Sequence, residues 1–280
     1  MAEISRRGLL AAAVGIVGAG AIGGVELSRS SAPREAPDVS VGEIASGSFV
    51  SARRHGATTG WKVSYPPRAD RHAAVPVLVV LHGRGDTYRD AYRSLHLNQY
   101  QAAVVDEGTR PFAIASVDGG DHSYWHPRRD GDAAGMVLDE FIPILERRGL
   151  DVQRIGFLGW SMGGYGALYL AGRLGRNRCK VAIAESPAIW HHADQSADGA
   201  FDDAADFDAH SIFGHLDALT GIPLRIDCGA SDGFAPITRD LRAALSPTPA
   251  GGIEPGAHDH AYWRSQAKAQ LRFAGEQLTR

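Results

Sequence analysis

Cysteine is scarce. The 280 residues contain only Cys179 and Cys228, which excludes a fold stapled by a disulfide framework. Cys179 stands where one apolar run begins and Cys228 where another ends. A parallel sheet would hold them at opposite ends, too far apart to bridge. Excess positive charge is missing too: the formal net charge is −3 and Lys and Arg are scattered. That removes the basic face a nucleic-acid partner requires. No repeat of fixed period runs through the chain, so solenoids and propellers are set aside.

Long apolar runs are absent but for one. Positions 8–25 are uncharged over 18 residues, but six are Gly and five are Ala. Such a run is near the lower length limit for a span and offers little area to hold it in lipid. It follows Ser5-Arg6-Arg7, and a basic pair before an apolar stretch reads as a twin-arginine export signal in preference to an anchor. No small-x-small cleavage site is clear, so an uncleaved signal stays open. The expected organisation is a signal over 1–30, a linker over 31–45 and one domain over 46–280.

The rest has an ordinary globular composition, 44% hydrophobic and 22% charged. Two short strands are expected at 49–53 and 61–65. Apolar runs of about five residues then alternate with segments of helical period, the pattern of βαβ units around a parallel sheet. The expected strands are 77–81, 112–117, 155–159, 181–184, 224–228 and a last short one at 253–254. Helices are expected over 97–107, 136–147, 163–174, 236–245 and 262–278. Between Glu185 and Leu224 lie almost forty residues without one convincing helix, holding Trp190, four His and seven Asp. Loops of that length are functional or mobile, and this one is read as a cap over the active site. Its charges are read as a solvated face, because no ligand spacing fits a metal cage.

The most informative stretch is Gly159-Trp160-Ser161-Met162-Gly163. G-x-S-x-G between a strand and a helix is a nucleophile elbow: glycines two residues either side relieve a tight turn that projects the serine hydroxyl above the sheet. The N–H of Met162 then faces a developing oxyanion at the helix N-terminus. The motif is weak by itself, with roughly 0.3 matches expected by chance in such a chain. Gly229-Ala230-Ser231-Asp232-Gly233 is a second match. Chain order favours Ser161, because serine, acid and histidine follow one another in this arrangement and Ser231 leaves too little chain for both partners.

A serine hydroxyl needs a neutral histidine to accept its proton. His258 lies past the last expected strand, with His260 as its competitor. Asp232 lies in the turn after the strand ending at Cys228, and Asp227, inside that strand, is the lesser candidate. A second oxyanion donor is expected in Leu81-His82-Gly83-Arg84-Gly85, from the N–H of Arg84.

At these residues the chain resembles the esterase family that includes esterase D and the mycobacterial mycolyltransferases of the secreted antigen complex. The resemblance rests on Leu81-His82-Gly83, on the elbow through Gly164, on Gly229 to Phe234, and on Gly256-Ala257-His258 leading into Tyr262-Trp263. It implies an α/β-hydrolase fold with a mostly parallel sheet, acyl transfer from an ester without a cofactor, and no metal. The family's histidine precedes a Tyr-Trp pair at this spacing, which favours His258 over His260. Gly119 to Trp125 resembles the family's loop beside the acyl site. Tyr124, Trp125, Trp160 and Trp190 are accordingly expected to line it. Mycolyltransferases usually use a glutamate where this chain has Asp232, and their disulfide has no counterpart here. Both departures favour a general carboxylesterase, a monomer or weak homo-oligomer acting on a small or lipid acyl ester. An acyltransferase passing the group to a sugar or lipid alcohol, and a cell-envelope binding protein without activity, are the alternatives.

Overall fold

A computed structural model describes residues 35–68 and 74–280, so the expected export signal lies outside the described residues. Residues 35–43 have no helix or strand. The sheet then begins with β1 (Ile44–Ser51) and β2 (Ala57–Ser64). It continues with β3 (Pro76–Leu81), β4 (Ala113–Val117), β5 (Asp151–Trp160), β6 (Cys179–Glu185), β7 (Leu224–Gly229) and β8 (Ile253–Glu254). The eight strands run in the order β1-β2-β4-β3-β5-β6-β7-β8. β2 pairs antiparallel with both its neighbours, and every pairing from β4 to β8 is parallel. Every residue of β3 and β4 is buried, as strands covered on both faces must be. Each buried Val, Leu or Ile there contributes about 1.5–3 kcal/mol.

β1 starts five residues earlier than expected and stops before Arg53. It is an edge strand whose exposed face carries Ile44, Ser46, Ser48 and Val50 and whose other face opens with Ala45 and Gly47, so no apolar-in, polar-out alternation marks its start. The helices longer than one turn are α1 (Leu97–Asp106), α2 (133–147, with a π turn at Met136–Phe141), α3 (Met162–Leu174), α4 (Ala204–His210), α5 (Ala235–Ala244) and α6 (His260–Leu278). α6 begins two residues before the expected start, because the Asp259 side chain accepts from the Tyr262 N–H and caps it.

The insertion after β6 contains α4 and two 3-10 segments, Ala193–Gln195 and Phe213–Leu219. None is long enough to show a period, which is why the sequence reads there as loop. Cys179 opens β6 and Cys228 falls near the end of β7; both are buried and unpaired. The chain leaves β3 towards β4 on one side and β5 towards β6 on the other. The crevice outside the carboxyl ends of β3 and β5 is therefore the switch point where α/β sheets bind ligands.

Candidate active site

Ser161 stands at that crevice, between β5 and α3, with φ 55° and ψ −118°. This backbone region is costly for a residue with a side chain and is held only where its surroundings over-determine it. They do so here. The Ser161 N–H donates to the Glu185 carbonyl at 2.9 Å, and its carbonyl accepts from the Ala188 N–H at 3.0 Å. A side chain at Gly159 would collide with the Gly163 carbonyl, and one at Gly163 with the Leu81 carbonyl. The glycines of the elbow are thus demanded by backbone approaching backbone. Met162 is the first residue of α3, where an N–H has no acceptor within the helix.

His258 follows β8 and reaches back over the crevice. Its Nε2 lies 2.9 Å from Ser161 Oγ and its Nδ1 2.8 Å from Asp232 Oδ2. The Asp232 side chain is fully buried while that of His258 is 33% exposed. Burial alone would raise the Asp232 pKa, but hydrogen bonds from His258, the Phe234 N–H and the Ser186 hydroxyl outweigh it and hold the carboxyl below its usual value. Asp232 therefore stays a carboxylate. His258 must then carry its proton on Nδ1, which leaves the Nε2 lone pair facing the serine hydroxyl. Trp263 meets the imidazole edge-on with ring centroids 5.0 Å apart.

The competitors are held elsewhere. Asp227 is gripped by Arg225 at 2.8 and 3.0 Å and by Gln270 at 3.0 Å. His260 Nε2 lies 3.2 Å from Asp86 Oδ2. Ser231 is exposed, and Ser161 but not Ser231 has the positive φ of an elbow.

Arg84 stands in the turn after β3, which is closed by the Asp86 N–H donating to the Gly83 carbonyl at 3.2 Å. His82, fully buried, ties this turn to the next loop. Its Nδ1–H donates to the Gly83 carbonyl at 2.8 Å, and its Nε2 accepts from the Gly119 N–H at 3.0 Å. Of the four aromatic residues expected to line the acyl site, three are buried, Tyr124 at 3% exposed. Trp125 and Trp160 are 0% exposed and belong to the core. Trp125 is wedged against Gly119 and Gly166, where any added Cβ would meet its ring at 2.5 Å. Trp160 donates its indole N–H to Asp86 at 2.7 Å. Alternation explains the second: one residue before an elbow serine, the side chain points into the sheet's other face. Tyr124 and Trp190 do meet, with centroids 5.9 Å apart. Trp190 also packs on Phe234 at 5.8 Å, and Phe234 on His258 at 5.4 Å. An aromatic row thus leads from the imidazole to the cap.

Three further groups carry no sequence motif. Ser186, buried at φ 45°, accepts from the Trp263 indole at 3.1 Å. Asp86 joins Trp160 and His260, and only a fold can show that meeting. Glu185 is wholly buried at the end of β6; burial, reinforced by the charge of Asp227, pushes its pKa well above the usual carboxyl value. Burial thus favours its neutral form.

No protein-family model and no curated protein matches the sequence. Solved structures do. A ferulic acid esterase superposes with a TM-score of 0.73 at 19% identity, over 84% of this chain and 98% of that one. An S-formylglutathione hydrolase from Staphylococcus aureus gives 0.68 at 20%, over 83% and 99%. Mycobacterium tuberculosis MPT51 gives 0.62 at 12%, over 84% and 100%. Likeness at such identities establishes architecture, and the architecture, strand order and capped crevice together, is the α/β-hydrolase fold.

Proposed function

We propose that the chain is a serine carboxylesterase that hydrolyses acyl esters through an acyl-enzyme. The observation that carries this reading is the continuous line Ser161 Oγ–His258 Nε2, His258 Nδ1–Asp232 Oδ2 at 2.9 and 2.8 Å, with a serine strained into an exposed hydroxyl position. In the acylation step His258 takes the Ser161 proton as the oxygen attacks the ester carbonyl. It then returns that proton to the departing alcohol; water repeats the sequence to release the acid. Asp232 keeps the imidazole in the correct tautomer and stabilises it when charged. The N–H groups of Met162 and Arg84 are assigned to the oxyanion, where losing one such donor typically costs roughly 3 kcal/mol of transition-state stabilisation. Phe234 and Trp190 form the wall against which the acyl group packs, with buried Tyr124 behind Trp190. A binding protein has no use for this alignment of groups, which argues against the inactive alternative.

Export by the twin-arginine signal belongs to the same proposal and rests on Arg6-Arg7 and the uncharged run after them. The test of the reaction is turnover of p-nitrophenyl esters of increasing acyl length, with and without a sugar acceptor. Acid release unaffected by the sugar supports the hydrolase. Acyl transfer to the sugar in preference to water would make the chain an acyltransferase, and no turnover of any ester would refute the reading.

A further inference from the structure

Three side chains that ester chemistry does not use meet beneath the cap. His126 comes from the loop after β4, and Asp206 and His210 lie one turn apart on α4. One donor atom from each lies within 4.8 Å of the other two, the one such grouping among the described residues. His126 and Asp206 are 80 positions apart, so no local ligand spacing betrays them. The expectation that the cap's charges form only a solvated face is corrected at this point: Asp206 is 12% and His210 17% exposed, and the His126 side chain is fully buried.

Both ring nitrogens of His126 face acceptors: Nδ1 lies 3.2 Å from the Tyr124 carbonyl and Nε2 lies 3.2 Å from Asp206 Oδ2. A neutral imidazole has a single N–H. With that proton on Nδ1, Nε2 turns its lone pair towards the carboxylate. A lone pair aimed at a carboxylate inside a protein requires a positive centre between them. A proton or a metal ion would supply it, and the donor set fits a metal. His210 Nδ1 lies 2.8 Å from the other carboxylate oxygen, Oδ1, and 2.9 Å from the Asp206 backbone carbonyl, which brings a second imidazole to the same carboxylate and leaves its Nε2 for an ion. Ligand atoms about 2 Å from a tetrahedral zinc ion are roughly 3.3 Å apart; the His126–Asp206 pair stands at 3.2 Å, and all three donor atoms lie within 4.8 Å of one another. The outer contacts also suit an ion: His126 donates its remote N–H to a backbone carbonyl, and the Asp202 N–H donates to Asp206 Oδ2 at 2.8 Å.

We propose that His126, Asp206 and His210 bind one divalent cation of the zinc type. Two imidazoles and one carboxylate form a borderline-soft set that suits Zn²⁺ in preference to Ca²⁺ or Mg²⁺, which take oxygen ligands. The ion fastens α4 of the cap to the loop that carries Tyr124. It also ties the cap to the helix of the proposed nucleophile, because Tyr165 of α3 donates its hydroxyl to the His210 carbonyl at 2.8 Å. The partial exposure of Asp206 and His210 gives the ion a way in. Its role is structural, and it is independent of the esterase reading.

The test is calorimetric titration of the metal-free full chain with Zn²⁺, paired with thermal melting, in the wild type, Ser161→Ala, Asp206→Asn and His210→Gln. The expected result is one high-affinity ion per chain and a raised Tm in the wild type and in Ser161→Ala alike, since a ligand held only by the native state stabilises it. Asp206→Asn and His210→Gln should each weaken binding by more than the roughly 10–100-fold that loss of an outer-shell partner costs. Should both variants fail to fold, zinc-edge X-ray absorption on the wild type decides: two imidazoles and a carboxylate oxygen support the site. Absence of tight binding, binding unchanged in the two folded variants, or coordination by any other set of ligands would overturn it.

Discussion

Gly163 lies so close to Leu81 that a methyl group on it would occupy the place of the Leu81 carbonyl oxygen. The contact joins the first turn of α3 to the end of β3, and so fixes the Met162 N–H relative to the Arg84 turn. Gly163→Ala is expected to force the two backbones apart. The stability cost should be about 1–3 kcal/mol, measured by chemical denaturation. Because a 1 Å displacement in a site can cost about a hundredfold, kcat should fall more than a stability loss of that size explains. A variant with wild-type kcat would show that this approach does not position the oxyanion donors.

Asp232→Asn should reduce kcat/KM by about four orders of magnitude, because an amide in that position stabilises the wrong imidazole tautomer. The carboxyl's native pKa lies below its ordinary value. Its ionised form therefore contributes stability above the unfolded pKa, and that contribution disappears as pH falls through the native pKa. Denaturation of wild type and variant over a series of acidic pH values should accordingly show their difference shrinking towards low pH.

Glu185 has the opposite sign. Its native pKa stands well above the ordinary 4.5, so on raising the pH the unfolded chain releases this proton first. The wild type then loses stability with rising pH by up to about 1.4 kcal/mol per unit until the native pKa is reached. Glu185→Gln retains the shape of the neutral acid and removes the titration. It should match the wild type near pH 4, become the more stable protein at neutral pH, and keep its esterase activity. Equal stability of the two at every pH would mean that Glu185 is ionised in the native protein.

Much of this architecture is legible in the sequence because parallel strands buried on both faces are written as short apolar runs, and the order of Ser161, Asp232 and His258 along the chain is the order of β5, β7 and β8. The elbow glycines are legible for the same reason, since the turn permits nothing larger. Trp125 and Trp160, expected at the acyl site, lie in the core, because an aromatic residue beside such a motif has the same spelling whether it faces the ligand or the core. α4 is only about two turns long and is started by the Asp203 cap, and seven residues show no period. The meeting of His126 with Asp206 depends wholly on how the cap folds back.

The proposed twin-arginine leader makes a separate prediction. Twin-arginine export carries folded proteins from a compartment where disulfides rarely form, and both cysteines are buried thiols. A chain starting near Val39 should be fully active under reducing conditions. Replacing Arg6 and Arg7 by Lys should leave active enzyme inside the cell, detected by fractionation. Equal delivery of both forms to the envelope would make the leader a general secretory signal or an anchor.

The central claim is that Ser161 is the nucleophile although the chain contains two G-x-S-x-G matches. The direct measurement is p-nitrophenyl ester turnover by Ser161→Ala and Ser231→Ala, each checked for an unchanged fold by circular dichroism. Ser161→Ala should lose on the order of a millionfold in kcat, and Ser231→Ala should stay within about tenfold of the wild type. Substantial turnover by a folded Ser161→Ala protein, with loss of activity in Ser231→Ala, would contradict the account.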